Sequence, residues 1–132
     1  MTPEKLIKHA ITARKRAAAP YSQYQVGSAI LTKDNTVILG CNVESKAYPT
    51  TLCAERVAIF SAIAQGHRKF SALALVTEDG AFPCGACRQI IAEFAPEATL
   101  ILVDSNNPNS PADETEIKTL LPDAFTGDNL PS

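Results

Sequence analysis

Three cysteines and one glutamate carry the chemistry legible in this chain of 132 residues. Cys53 and Glu55 lie in Thr51-Leu52-Cys53-Ala54-Glu55-Arg56, and Cys84 and Cys87 in Phe82-Pro83-Cys84-Gly85-Ala86-Cys87-Arg88-Gln89. Two thiolates at C-x-x-C spacing can hold adjacent corners of a zinc tetrahedron, and a third from elsewhere leaves one corner for water. A carboxylate two residues from a ligand is placed to move that water's protons. Blander readings exist for each part. A C-x-x-C pair also fits a redox motif or half of a structural four-cysteine site, with Cys41 as the remaining thiol. Cys41, however, falls in a strand-like run with no helix start to favour a thiolate, and reads as a small buried hydrophobe. Glu55 by itself reads as a solvated first-turn residue stabilised by the helix dipole at ~0.3 to 1 kcal/mol. His9 and His67 stand in polar contexts and read as surface histidines.

The elements that must hold these groups alternate between helical and extended patterns, which predicts an α/β sandwich. Thr2-Pro3-Glu4 predicts a helix start, and Leu6, Ile7, Ala10, Ile11, Ala13 and Ala17 supply one apolar face in a helix ending before Pro20. Val26 to Leu31 and Val37 to Val43 read as strands joined by the polar turn Lys33-Asp34-Asn35-Thr36, hence an antiparallel hairpin, with Gly27 marking a close approach. Thr51 predicts the N-cap of a helix running to about Gln65 with Gly66 as its stop, so Cys53 and Glu55 fall in its first turn. Leu73 to Val76 reads as a buried strand, Cys84 to Phe94 as a second ligand-bearing helix and Leu100 to Val103 as another strand. Residues 106 to 113 carry no clear pattern; a strand in 109 to 114 is weakly signalled, and Ile117, Leu120 and Leu121 point to a last short helix before Pro122.

Both cysteine segments therefore open helices, where backbone N–H groups and the positive end of the dipole favour the thiolate that zinc needs. Three thiolates on Zn²⁺ leave a net negative centre and a poor Lewis acid, so a neighbouring cation must withdraw charge. Arg56 is the candidate, its guanidinium hydrogen-bonding a ligand sulfur.

Composition excludes several classes. The length suits one domain with a real core, covering residues 1–132. A formal net charge of -2 and 6% aromatic residues do not make the basic, base-stacking surface of a nucleic-acid binder, so a small neutral substrate fits better. No apolar run reaches the length of a membrane helix, the amino terminus has no signal-peptide core, and four cysteines without a secretory context read as ligands or buried thiols; a soluble, cytoplasmic protein is expected.

Taken together, the motifs resemble the cytidine deaminases, specifically the short homotetrameric type with an all-cysteine zinc site. The resemblance rests on Ala19-Pro20-Tyr21-Ser22, Val26-Gly27, Gly40-Cys41-Asn42-Val43-Glu44, both zinc motifs and Leu120-Leu121-Pro122-Asp123-Ala124-Phe125, in family order over nearly the whole chain. It implies a three-layer α/β/α sandwich around a mixed five-stranded sheet whose last two strands are parallel. It also implies one zinc ion per chain on Cys53, Cys84 and Cys87, bound water with its pKa lowered toward ~7, and Glu55 shuttling a proton to N3 and then to the departing amine of cytidine or 2'-deoxycytidine. Asn42 and Glu44 would meet the ribose hydroxyls, the Ala54 backbone the base, and Tyr24, where the family usually has phenylalanine, would cover the pyrimidine. Tyr48 and Phe125 match positions that reach a neighbouring subunit's pocket, so the expected partners are a free nucleoside and three further copies, in pyrimidine nucleoside metabolism, with neither nucleic acid nor membrane. Ser45 and Lys46 depart from the family pattern. Lys46 reads either as a solvated lysine or as a residue that alters tolerance at the 5' end, and the alternative activity is deamination of another aminopyrimidine or a nucleoside analogue.

Overall fold

The computed structural model describes residues 1–107 and 109–128. Pro108, inside the stretch that carried no sequence pattern, and residues 129–132 lie outside the described residues. Five strands form one sheet: β1 (Gly27–Thr32), β2 (Val37–Cys41), β3 (Phe70–Thr77), β4 (Thr99–Asp104) and β5 (Asp113–Glu116), in the order β2-β1-β3-β4-β5. Among the described residues four α-helices accompany it: α1 (Pro3–Arg14), α2 (Ala54–Ala64), α3 (Gly85–Phe94) and α4 (Ile117–Leu120).

β1 is buried on both faces, which its run Ser28-Ala29-Ile30-Leu31 permits, because a strand covered on both sides must be apolar nearly throughout. On one face Leu6 and Ala10 of α1 pack on Ala29, Ala74, Val76 and Ile101. On the other, Ala58, Ile59 and Ala62 of α2 and Ile91 of α3 pack on Ile30, Ile38, Leu73 and Leu100. The sheet is thus a middle layer between α1 and the α2/α3 pair, as expected. At ~1.5 to 3 kcal/mol for each fully buried large aliphatic side chain, these two faces dominate the folding energy.

Several boundaries differ from the sequence reading. α1 ends at Arg14 and leaves Ala17 outside the helix, because Ala18 instead pairs with Val43 beside the sheet edge. α2 begins at Ala54, not near Thr51: Tyr48–Thr50 form a separate 3-10 turn, and Leu52 pairs with Val43, which keeps 51–53 extended. Cys53 and Cys84 are therefore the N-cap residues of α2 and α3, and neither caps its helix through its side chain. Gly66, at φ +96°, ends α2, with the His67 amide returning to the Ala62 carbonyl.

The expectation that the last two strands run parallel is overturned. β3 and β4 are the parallel pair, linked by the α3 crossover, while β5 returns antiparallel to β4 after a connection too short to hold a crossover helix. β5 occupies Asp113–Glu116, overlapping only the end of the weakly signalled stretch; its mostly exposed, acidic edge-strand sequence explains the faint pattern.

Candidate metal and active site

The carboxyl end of the parallel β3/β4 pair and the starts of α2 and α3 meet where the three thiols converge. Cys53 Sγ lies 3.9 Å from Cys84 Sγ, and Cys84 Sγ 3.5 Å from Cys87 Sγ, with all three sulfurs within 4.8 Å of one another. Zn–S bonds of ~2.3 Å at tetrahedral angles put sulfurs ~3.8 Å apart, so the triangle fits zinc without rearrangement. Cys41, on β2, is not part of this cluster, and burial pushes its thiol up. Among the described residues this leaves three ligands and an open corner, which argues against a closed four-thiol structural site.

The cluster already polarises itself. The Cys53 thiol is held well below its usual range, first by the hydrogen bond from Cys87 and then by Arg56, against the cost of burial. Cys87, buried and donating, is pushed correspondingly up by the same bond and by desolvation. Arg56 Nη2 approaches Cys53 Sγ at 3.5 Å and the Thr51 carbonyl at 3.4 Å, while its buried Nε has no partner among the described residues. The half-buried guanidinium is stabilised by the negative charge of the Cys53 and Cys87 sulfurs, which places Arg56 where a three-thiolate metal would need relief.

Glu55, 4% exposed, faces a cavity of about 340 Å³ that Cys53 and Cys84 also line. Burial pushes its carboxyl up to about 6, with the charge of Cys53 adding to the effect. A group poised there can both take and return a proton near neutrality. Asn42, Glu44 and Tyr24 line the same cavity. A second cavity of about 310 Å³, between α1 and the ends of β3 and β4, has no thiol in its lining, so the chemistry belongs to the first.

Residues 1–103 match the family model described as the cytidine and deoxycytidylate deaminase zinc-binding region. The chain belongs to this family. It is 46% identical over 132 residues to a cytidine deaminase of Sporosarcina psychrophila, covering 98% of this chain and 96% of that one. It is 44% identical over 132 residues to a cytidine deaminase of Halalkalibacterium halodurans, covering 98% of each. The crystal structure of cytidine deaminase from Burkholderia pseudomallei superposes with a TM-score of 0.89 at 44% identity, over 95% of this chain and 100% of that one.

Within this deaminase fold, the residues expected at the substrate do not all stand alike. Asn42 Nδ2 donates to the Tyr24 carbonyl at 2.7 Å and its Oδ1 accepts from the Val26 amide at 2.9 Å, which leaves one N–H and one lone pair for a ligand. Glu44 accepts from the Tyr21 and Ser22 amides at 3.0 and 3.1 Å and from the Ser22 hydroxyl, and Ser22 holds its carboxyl below the usual range. Ala54 is fully buried behind the cavity rather than lining it, and its carbonyl accepts from Ser28 Oγ at 2.8 Å. Tyr48, 72% exposed, sits edge-on to Tyr21 at 6.2 Å, in a groove beside the main cavity, and Phe125, 62% exposed, accepts from Gln89 Nε2 through its backbone carbonyl at 2.8 Å. Lys46 is exposed.

Sequence reasoning gave no role to Ser22, Ser28, Thr77 or Asp79. Ser22, Ser28 and Asp79 bond Glu44, Ala54 and Tyr24 from far along the chain, and Thr77 braces Asp79 and Ala81 locally; short polar residues in strands and turns carry no pattern that announces this.

Proposed function

We propose that the chain hydrolyses cytidine and 2'-deoxycytidine to the uracil nucleosides and ammonia, with one zinc ion held by Cys53, Cys84 and Cys87. The observation that carries this reading is the buried Glu55 facing the same cavity as an open three-thiol cluster. Bound zinc supplies Lewis acidity that brings the pKa of water toward ~7. Glu55, with its carboxyl held up to about 6, accepts a proton from the attacking water and delivers it to N3 as the C4–O bond forms, then takes the remaining proton from that oxygen and gives it to the amine, which leaves as ammonia when C4–N breaks. Arg56 offsets the charge of the ligand sulfurs. The remaining N–H and lone pair of Asn42, with the Glu44 carboxylate, suit the vicinal hydroxyls of ribose, an assembly of donors and acceptors that a diol can satisfy.

The exposed rings of Tyr48 and Phe125, at positions that in the resembling deaminases reach a neighbouring subunit's pocket, support a homotetramer in which each pocket is completed by neighbouring subunits. The sheet and helices draw on residues from 3 to 120, which supports a single deaminase-like domain over 1–132. No helix among the described residues is long and apolar enough to cross a membrane, and the charge of -2 favours a free nucleoside over a polyanion; cytoplasmic nucleoside metabolism is the setting we infer.

The test is the ultraviolet change as cytidine becomes uridine, on zinc-analysed protein, with deoxycytidine, cytosine and cytidine 5'-monophosphate alongside. Conversion of both nucleosides is expected, and Glu55→Ala should keep its metal while losing ~10²-fold or more in rate. Zinc-loaded protein that turns over neither nucleoside overturns the assignment, and a preference for the monophosphate would implicate Lys46 in substrate choice.

A further inference from the structure

We propose that Asp79 is a positioning residue that locks the Tyr24 ring against the substrate cavity and ties it to the loop presenting Cys84. Asp79 Oδ1 accepts from the Tyr24 hydroxyl at 2.5 Å, from Thr77 Oγ1 at 3.2 Å and from the Ala81 amide at 3.2 Å. The Ala81 amide is shared with Thr77 Oγ1 at 3.0 Å, and Thr77 is buried at the end of β3. One carboxylate oxygen thus gathers the wall residue Tyr24, the last residue of the central strand and the loop that runs through Phe82 and Pro83 to Cys84.

The other side of Tyr24 is held as well. Its amide donates to Ser22 Oγ at 3.0 Å and its carbonyl accepts from Asn42 at 2.7 Å, while Ser22 Oγ donates to Glu44. Gln23, between them, sits at φ 57°, a conformation that non-glycine residues adopt only when the surroundings over-determine it. A continuous chain of bonds therefore runs Glu44–Ser22–Tyr24–Asp79–Thr77/Ala81 around the cavity. Ser22, Tyr24, Glu44, Thr77 and Ala81 all line that cavity, and Asp79 does not. Its carboxylate acts on substrate only through the groups it holds.

The physical consequence is preorganisation. An untethered tyrosine ring at the cavity wall loses rotamer freedom each time substrate binds, whereas a ring already fixed by its hydroxyl does not. Removing the tether should weaken substrate binding while leaving the proton transfers of Glu55 alone, so KM should move and kcat should not. Burial first, and the bond to Asp79 second, push the Tyr24 phenol up to about 12, which provides a readout independent of turnover.

This rests on the deaminase reading, and the experiment separates the two. Zinc-loaded wild type, Asp79→Ala, Asp79→Asn, Tyr24→Phe, the Tyr24→Phe/Asp79→Ala double variant and a Glu78→Gln control are compared in steady-state cytidine kinetics. The ultraviolet titration of the tyrosines is followed in each, Tyr24 being read as the difference between wild type and Tyr24→Phe. Asp79→Ala should raise KM about fivefold with kcat within about twofold, and Asp79→Asn, which keeps an acceptor oxygen, should recover most of the loss. In the Tyr24→Phe background Asp79→Ala should cost less than about twofold further, because the partner is already gone. The Tyr24 phenol should titrate lower in Asp79→Ala, and Glu78→Gln should match wild type in KM. Additive effects in the cycle, or a fall in kcat at constant KM, overturn the proposal, as does a Tyr24 titration indifferent to Asp79. If wild type does not convert cytidine, the deaminase reading fails and the phenol titration alone decides whether the tether exists.

Discussion

Gly40 of β2 lies directly under the first turn of α2, and replacing it with alanine tests how the site is held. A Cβ built there falls 2.3 Å from the Ala54 carbonyl oxygen, 2.6 Å from the Ala58 nitrogen and 2.7 Å from Ser28 Oγ. Two of these are helix backbone, so no side chain can swing aside, and α2 must retreat by about 1 Å to reach ordinary contact. Overpacking of this kind costs ~1 to 3 kcal/mol, and losing the Ser28–Ala54 hydrogen bond costs ~0.5 to 1.5 more, for roughly 2 to 4 kcal/mol together. Because Cys53 is the N-cap residue of α2 and Glu55 is in its first turn, the same retreat pulls the Cys53 sulfur and the Glu55 carboxyl away from Cys84 and Cys87. A displacement near 1 Å at a catalytic constellation costs ~10²-fold in rate. Gly40→Ala should therefore melt roughly 10 °C lower, hold zinc less tightly and lose ~10²-fold in cytidine turnover, measured by thermal unfolding, metal analysis and the ultraviolet assay. Gly85→Ala is the control: Gly85 opens the other cysteine-bearing helix, but among the described residues nothing lies within 4 Å of a Cβ built there, so alanine should leave stability and turnover unchanged. A Gly40→Ala protein that melts within about 2 °C of wild type and keeps full turnover would refute the idea that close strand–helix approach sets the site.

Arg56→Ala should retain zinc but need a higher pH for half-maximal activity, since the ligand sulfurs would no longer share their charge with a guanidinium; an unchanged pH profile removes that role. In the hairpin turn, the Thr32 hydroxyl, with Thr36 and His67, holds the Asp34 carboxyl below its usual range. The stabilisation it gives is present above the unfolded pKa of ~3.9 and is lost as pH falls through the lower folded value. Asp34→Ala should accordingly melt below wild type at pH 7, with the gap closing toward pH 3, and a gap that stays constant with pH would contradict the assignment.

The zinc motifs, Glu55, the hairpin and most of the helix and strand cores were legible because they depend on short-range spacing: C-x-x-C, a turn tetrad, an apolar period. Arg56 was legible for a similar reason, since a helix brings residues three apart to one face and Arg56 reaches Cys53 across that interval. What tertiary structure alone decided was set by contacts between distant segments. The start of α2 moved past Thr51 because Leu52 is claimed by Val43, a pairing no local propensity contains. The direction of β5 follows from the short return after β4, which the faint pattern of an exposed edge strand does not encode. Ala54 lies buried with its carbonyl taken by Ser28 of β1, a contact between segments far apart in the chain. Sequence by itself thus determined the family and singled out Cys53, Cys84, Cys87 and Glu55 as the candidate metal-binding and proton-carrying groups, because that chemistry lies in residue identity and near spacing. Only the fold determined which polar side chains brace the cavity, Ser22 and Asp79 among them, because that depends on where the sheet brings distant loops together.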